Sequence, residues 1–176
     1  SIQDVSCLGR CSQTVALPVV SAMGVECAIL PTAVLSTHTS FPDFHCLDLT
    51  DQLLPVARHW KAQGVRFDAL YTGYLASDRQ GAVVLELLEL LREEGTLLFV
   101  DPAMADHGKL YPAFGPDFPK TMAKVCGQAD LILPNLTEAA ILLGLDPESL
   151  LEQRGEDLAV ELSGQGQRSV VVTGVT

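Results

Sequence analysis

The sequence has few basic residues, few aromatic residues and no long apolar run. Eleven Lys and Arg residues stand against 22 Asp and Glu, which gives a net charge of −11, and 6% of the residues are aromatic. An acidic chain whose basic residues do not cluster repels nucleic acid phosphates and anionic membranes. Its apolar runs are broken well before the roughly 20 residues that a membrane span needs. We therefore expect no nucleic acid partner, no membrane partner and a cytoplasmic protein.

Common phosphate-binding and metal-binding signatures are also missing. The sequence contains no Gly-x-Gly-x-x-Gly and no Gly-x-x-x-x-Gly-Lys-Ser/Thr. Neither a dinucleotide fingerprint nor a P-loop therefore predicts phosphate binding. The five cysteines include no Cys-x-x-Cys pair. An odd number without such a pair favours free, buried thiols in a reducing compartment over disulfides or a zinc site.

What the sequence does contain is an alternation of short apolar segments with segments of helical periodicity. Of its 176 residues, 48% are hydrophobic, which is enough for one domain with a sizeable core. Strands that alternate with helices indicate βαβ units and a mostly parallel sheet. We predict a single α/β domain over residues 1–176. The predicted strands are 1–5, 25–30, 67–72, 97–100, 130–133 and 169–174, and the predicted helices are 13–23, 50–63, 77–94 and 117–126, with two more after Asn135 and Asp146.

The two ends of the chain carry a further expectation. The first residues already have the pattern of a strand, and the last predicted strand has no helix after it to cover it. We expect the domain to be incomplete at its C-terminus and the 176 residues to be a piece of a longer chain.

Polar residues follow the predicted strands at the points where the strands end. The richest of these loops, Asp101–Tyr111, comes directly after an apolar run and carries two aspartates that can hold a cation and orient phosphates. A solvated acidic loop is the alternative interpretation. Because parallel strands end at one edge of a sheet, we expect all of these loops to line a single cleft. The others are Asp4 with Gly9 and Ser12, Ser36–Thr39, Thr72–Tyr74, Pro134–Glu138 and Thr173–Gly174.

Four motifs in these loops resemble one protein family in their order and spacing. Together they are similar to pyridoxal kinase-type members of the ribokinase-like fold, the group that also contains hydroxymethylpyrimidine kinases, across essentially the whole chain. Hydroxymethylpyrimidine kinases usually carry a glycine-rich stretch after the first strand. Residues 6–13 read SCLGRCSQ instead, which favours the pyridoxal branch. The motifs are Ser36-Thr37-His38-Thr39, Thr72-Gly73-Tyr74, Asp101-Pro102-x-Met104-x-Asp106 with Gly108 and Tyr111, and Pro134-Asn135-x-x-Glu138-Ala139.

The resemblance implies a fold, an activity and an assembly. The fold is a ribokinase-like three-layer α/β/α arrangement with a mostly parallel central sheet. The activity is ATP-dependent phosphorylation of the 5′-hydroxymethyl group of pyridoxal, pyridoxine or pyridoxamine, and the assembly is a homodimer. The substrate-binding residues would be Asp4, His38, Thr39 and Tyr74. The position of Asp4 is often serine in pyridoxal kinases, which leaves open which ring substituents are preferred.

The resemblance also implies sites for magnesium and ATP. Two or three carboxylates suit a hard cation that neutralises charge on a transferred phosphoryl group. Glu138 could instead stabilise the N-terminus of its helix, or do both. A monovalent cation near Thr173 is a further possibility. The metal-binding residues would be Asp101, Asp106 and Glu138, and the nucleotide-binding residues would be Asp106, Tyr111, Asn135 and Thr173.

No residue of the chain is assigned as a catalytic base. Ribokinase-like kinases carry a GTGD-like motif whose aspartate is the base, and no Gly-x-Gly-Asp occurs here. We expect these residues alone to be catalytically inactive. The alternatives to a vitamin B6 kinase are a hydroxymethylpyrimidine kinase of thiamine synthesis and a non-catalytic, vitamer-binding fragment.

Overall fold

The structure, a computed structural model, describes residues 1–147, 155–166 and 168–175. The chain divides into two compact units, Ser1–Thr96 and Leu97–Thr176. In the described part of the chain, no helix is both long enough and apolar enough to cross a membrane.

The first unit is a mostly parallel sheet with three helices. Its strands have the order β3-β2-β1-β4. Strand β1 pairs in parallel with β2 and β4, and β3 joins the edge of β2 in the antiparallel direction. The elements are β1 (Ile2–Ser6), α1 (Gln13–Ala22), β2 (Leu30–Leu35), β3 (Cys46–Asp48), α2 (Thr50–Ala62), β4 (Ala69–Thr72) and α3 (Asp78–Leu91).

The second unit repeats the alternation of strand and helix. Its parallel strands have the order β5-β8-β9, and a small antiparallel hairpin of β6 and β7 follows β5. The α/β class and the mostly parallel pairing predicted from the sequence are confirmed. The elements are β5 (Leu97–Val100), β6 (Ala105–Asp106), β7 (Lys109–Leu110), α4 (Phe118–Cys126), β8 (Leu131–Ile132), α5 (Leu136–Leu143), α6 (Gly155–Gly166) and β9 (Ser169–Val170). The start of the helix predicted after Asp146 lies outside the described residues.

The strand predicted at residues 25–30 is wrong. Residues 25–29 form no regular element, and β2 begins at Leu30. The apolar side chains that suggested the earlier strand are not core residues, since Val25 is 55% exposed and Ile29 is 37% exposed. In β2, by contrast, Leu30, Ala33 and Leu35 are buried. Burial against the sheet, and not apolar content alone, therefore decides where the strand lies.

The cysteines are free, but most of them are not buried. Cys126 is buried, whereas Cys7 and Cys46 are exposed and the other two are intermediate. Burial raises the pKa of the Cys126 thiol to about 12. The expectation of free thiols is therefore confirmed, and the expectation of buried ones holds only for Cys126.

A buried glutamine connects three segments of the first unit. Gln80 of α3 has no exposed surface. Its Nε2 donates to the backbone oxygen of Thr32 and to Oγ1 of Thr50, both at 3.0 Å, and its Oε1 accepts from the backbone nitrogen of Ala76 at 2.7 Å. One side chain thus satisfies polar groups of β2, of the first turn of α2 and of the turn before α3.

Replacing Gln80 by Leu tests this role. The variant leaves three polar groups without their Gln80 partner, two of them buried, so we expect the free energy of unfolding to fall by about 3 kcal/mol. Urea denaturation measures this value. The matched control is Gln52→Leu on the exposed side of α2, which should change stability by less than about 0.5 kcal/mol. Equal effects of the two substitutions would contradict the role given to Gln80.

Candidate functional site

In the first unit, a buried carboxylate lies in the middle of β1. Asp4 is 4% exposed, and its Oδ2 accepts a hydrogen bond from Oγ of Ser6 at 3.2 Å. The ladder between β1 and β2 shifts register between Gln3 and Val5, at the position of Asp4. Such irregularities are common beside binding sites because they redirect side chains. A buried acid with one neutral donor suits a ligand that brings a further donor.

Tyr74 lies in the electrostatic field of this carboxylate. Burial, together with the negative charge of Asp4 and that of the Cys46 thiolate at high pH, raises the pKa of the Tyr74 phenol to about 12. At neutral pH the phenol is protonated, as tyrosine ordinarily is, and it can act as a donor. Partial desolvation of the exposed Cys46, together with the charges of Asp48 and Asp4, also raises the pKa of its thiol. Asp4 and Tyr74, both predicted as substrate-binding residues, are thus brought together.

The backbone geometry explains why a glycine precedes Tyr74 in the Thr72-Gly73-Tyr74 motif. A Cβ on Gly73 would lie 2.7 Å from Oε1 of Gln3, and the backbone nitrogen of Gly73 donates to the oxygen of Ile2 at 3.2 Å. Only glycine admits this close approach without displacing the Gln3 side chain. The glycine before Tyr74 therefore lets the end of β4 continue alongside β1.

His38 lies in the loop after β2 and is partly buried. Its backbone nitrogen donates to the oxygen of Leu8 at 3.3 Å, which ties this loop to the loop after β1. The imidazole meets the ring of Phe41 edge to face at 4.8 Å. Thr39, the fourth predicted substrate residue, is exposed.

In the second unit, one carboxylate organises the acidic loop. Glu138 is 2% exposed. Its Oε1 accepts from the backbone nitrogens of Met104 at 3.0 Å and Ala105 at 3.4 Å, and its Oε2 accepts from that of Asn135 at 2.9 Å. The same side chain therefore contacts the loop after β5 and the start of α5.

Asn135 completes this arrangement as the N-cap of α5. Its Oδ1 accepts from the backbone nitrogen of Glu138 at 2.9 Å, which makes a capping box. Its Nδ2 donates to the backbone oxygen of Ala105 at 2.8 Å. The hairpin gains a third link because the backbone nitrogen of Gly108 donates to Oγ1 of Thr137 at 3.0 Å. The motif that begins at Pro134 therefore fixes the acidic loop on a helix N-terminus.

Asp101 follows β5 and is largely buried. Burial raises the pKa of its carboxyl group to about 6. Burial is also the main reason why the pKa of Glu138 rises to about 7, with a smaller contribution from the charge of Asp101 and an opposing one from the backbone hydrogen bonds. Burial raises the pKa of both acidic groups, and the charge of Asp101 adds to the effect at Glu138, so the pair suits a cation that neutralises both.

The other predicted residues of this unit have different surroundings. The Asp106 side chain is 53% exposed, and its carboxylate accepts from the backbone nitrogen of His107 at 2.8 Å. The backbone of Tyr111 donates to Met104, and its ring lies 6.2 Å from that of Phe114. Thr173 donates from its backbone nitrogen to Pro134 at 2.8 Å. Thr173 therefore lies beside the start of α5.

No three His, Cys, Asp or Glu side chains in residues 1–147, 155–166 and 168–175 lie close enough together to form a ready metal site. Asp101 and Glu138 interact, whereas Asp106 turns to its neighbour His107. Cys46 lies near Asp4 and Tyr74, although the sequence analysis did not place it there. The antiparallel pairing of Leu35 with Cys46 brings it in, and that pairing leaves no local signal in the sequence.

Comparison with known proteins places the chain in a family. The model of the family described as phosphomethylpyrimidine kinase matches residues 17–176. A pyridoxine/pyridoxal/pyridoxamine kinase of Bordetella avium is 31% identical over 98% of this chain and 60% of its own length. A pyridoxal kinase of Paraburkholderia xenovorans is 30% identical, also over 98% of this chain and 60% of its own length. The chain thus spans about three fifths of the curated relatives that it matches.

Solved structures agree with this assignment. The crystal structure of pyridoxal kinase from Lactobacillus plantarum is 36% identical, with a TM-score of 0.88 over 99% of this chain and 63% of that one. A structure from Bacteroides thetaiotaomicron, described as a phosphomethylpyrimidine kinase and crystallised with pyridoxal, is 39% identical, with a TM-score of 0.91 over 99% of this chain and 63% of that one. The chain belongs to the phosphomethylpyrimidine kinase family, as a pyridoxal kinase-type member with the ribokinase-like fold.

Proposed function

We propose that the whole protein is an ATP-dependent kinase that phosphorylates the 5′-hydroxymethyl group of a vitamin B6 vitamer. The observation that carries the proposal is the buried carboxylate of Asp4, which lies close enough to Tyr74 to act electrostatically on its phenol. The Bordetella avium and Lactobacillus plantarum relatives are named as kinases of B6 vitamers, and the Bacteroides thetaiotaomicron structure contains pyridoxal. These names support the same substrate class.

The first unit would bind the vitamer. A B6 vitamer is a flat heteroaromatic ring with a ring nitrogen and a phenolic oxygen, so it needs an aromatic wall and a few fixed donors and acceptors. Tyr74 offers an aromatic surface, and Asp4 offers an acceptor for a protonated ring nitrogen or an amine. His38 and Thr39 would contact the other polar substituents from the loop after β2.

The second unit would bind the metal and the nucleotide. Asp101 fits a hard cation because its carboxyl group is largely buried and, among the described residues, neither a hydrogen bond nor a charged neighbour counters the effect of burial on its pKa. Glu138 and Asp106 would complete the magnesium site. Each carboxylate oxygen of Glu138 can accept more than one contact, so its capping role leaves room for this one. Asn135, Tyr111 and Thr173 would position the phosphates, and Thr173 could face a monovalent cation.

Bound magnesium would neutralise the charge that develops on the transferred phosphoryl group. The residues of this chain would orient the vitamer and fix the acidic loop. We assign no base among them, because the Gly-x-Gly-Asp sequence that the resemblance leads us to expect does not occur here. The proposal therefore places the base outside these 176 residues.

The proposal includes a homodimer formed through α1. This helix contains no charged residue, and the chain has a net charge of −11, so two copies can approach one another there without like-charge repulsion. Val15, Val19 and Met23 are exposed at helical spacing. Light scattering should give the mass of a dimer for the wild type and that of a monomer for Val19→Glu. A monomeric wild type would contradict this part of the proposal.

Hydroxymethylpyrimidine kinase activity is the second candidate, since the matching family is described as phosphomethylpyrimidine kinase. A binding protein without catalysis is the third. The full-length gene product, incubated with ATP, magnesium and either pyridoxal, pyridoxine, pyridoxamine or hydroxymethylpyrimidine, distinguishes all three. We expect 5′-phosphorylated B6 product, detected by mass spectrometry. Phosphorylation of the pyrimidine alone would overturn the substrate, and the absence of any product would favour the binding protein.

The raised pKa of Asp101 predicts that the stability of the protein in metal-free buffer depends on pH. This pKa rises from 3.8 to about 6 on folding, so the folded protein holds the proton more tightly than the unfolded chain does. Between these two values the contribution of Asp101 to stability falls as pH rises, and it is smallest above them. The free energy of unfolding of the wild type, relative to Asp101→Asn, should therefore fall between pH 4 and pH 7.

Magnesium should restore stability above pH 7 in the wild type and not in Asp101→Asn, because a cation favours the ionised carboxylate. The control is Asp68→Asn, since Asp68 is exposed. Urea denaturation at a series of pH values, with and without magnesium, measures the difference in unfolding free energy between the wild type and each variant. A difference between the wild type and Asp101→Asn that does not change with pH would contradict the burial argument.

A further inference from the structure

The imidazole of His38 is held by residues that the four motifs do not include. A Cβ on Gly9 would lie 2.6 Å from Cδ2 of His38, so the ring packs directly against the Gly9 backbone. On another side, the Phe41 ring meets the imidazole at 4.8 Å and an angle of 68°. The position of the ring is therefore set by the loop after β1 together with its own loop.

A hydrogen bond also sets which nitrogen of His38 carries the proton. The backbone nitrogen of Ser40 donates to Nδ1 at 3.4 Å. A ring nitrogen that accepts a hydrogen bond carries no proton, so in this arrangement the proton lies on Nε2. Within the described part of the chain, Nε2 has no hydrogen-bond partner. The Nε2–H group is thus a donor available to a ligand.

We infer that Gly9 is a positioning residue: together with Phe41 and the Ser40 amide, it holds His38 as an Nε2–H donor to the phenolic oxygen of the vitamer. The inference rests on the proposed function and deepens it, because it names the Nε2–H group of His38 as the donor that recognises the phenolic oxygen of the ring. B6 vitamers present an oxygen acceptor on the ring. Hydroxymethylpyrimidine presents an amino group, and two N–H groups that face one another repel. The donor therefore favours the pyridine over the pyrimidine.

The chain offers a matched control for Gly9. Gly9 has a φ of +118°, so an alanine there strains the backbone as well as meeting His38. Gly24 and Gly64 also have positive φ, but a Cβ on either would meet nothing within 4 Å. Gly24→Ala thus introduces backbone strain without any contact with His38.

The experiment measures the binding of pyridoxine and 3-deoxypyridoxine, which lacks the phenolic oxygen, to the full-length protein by calorimetry. The variants are Gly9→Ala, Gly24→Ala, His38→Ala and the double variant Gly9→Ala/His38→Ala. Phe41→Leu removes the other ring contact of His38, and Phe41→Tyr, which keeps an aromatic ring, is its control. Because Phe41 is 45% exposed, its replacement leaves the core intact. Nitrogen-15 NMR of the histidine side chains, assigned through His38→Ala, reports the protonated nitrogen without any ligand.

We expect the wild type to bind pyridoxine about tenfold more tightly than the deoxy analogue, as one well-placed hydrogen bond allows. Gly9→Ala and Phe41→Leu should lose most of this preference, whereas Gly24→Ala and Phe41→Tyr should keep it. In the His38→Ala background, Gly9→Ala should cause no further loss of the preference for pyridoxine, because the effects of two substitutions that act through one contact are not additive. The NMR spectrum of Gly9→Ala should show a changed His38 ring.

Two results would overturn the inference while leaving the proposed function in place. One is tight pyridoxine binding with an unchanged preference in Gly9→Ala. The other is a loss of preference on Gly9→Ala that is the same in the wild-type and the His38→Ala backgrounds, which would mean that Gly9 acts through its backbone alone. A wild type that binds neither compound while the NMR spectra follow the expected pattern would overturn the proposed function, and with it the role given to His38.

Discussion

The carboxylate of Glu138 is the constraint on which the second unit depends. It accepts from three backbone nitrogens, at Met104, Ala105 and Asn135, and so joins the loop after β5 to the N-terminus of α5. Three backbone donors to one buried carboxylate offset part of the cost of removing its charge from water, although burial still raises its pKa to about 7. Without this link, the hydrogen bonds from the loop that carries Asp101 and Asp106 to α5 would, among the described residues, be those of Asn135 and Thr137.

In the first unit, a different set of contacts positions the side chains that we propose as functional. Asp4 is buried in β1 and Tyr74 follows β4, so their placement depends on strand pairing and on the small volume of Gly73. His38 depends on the loop after β1, through Leu8 and Gly9. Each unit thus has one proposed functional side chain, His38 in the first and Glu138 in the second, that is held by the backbone of a segment distant in sequence. This is how a site gains fixed geometry from flexible loops.

The sequence predicts those features that have a local cause. The strand at Leu97–Val100 follows from four apolar residues with Pro102 close behind, and the cap at Asn135 follows from an Asn with a Glu three residues later. The strand at 25–30 fails because its apolar residues are exposed, which only the packing reveals. The contacts of Glu138 with Met104 and of His38 with Gly9 each span about 30 residues. No periodicity or motif predicts such pairs, because they arise when the strands assemble.

Hydrogen exchange of the loop amides tests most directly whether Glu138 fixes a nucleotide-binding loop. The measurement compares wild type and Glu138→Gln, with and without magnesium and a non-hydrolysable ATP analogue, and follows the amides of Met104, Ala105 and Asn135. We expect slow exchange in the wild type, further slowing with the nucleotide, and fast exchange in the variant with little response to the nucleotide, while pyridoxine affinity stays the same. Unchanged protection and an unchanged nucleotide response in Glu138→Gln would contradict the account.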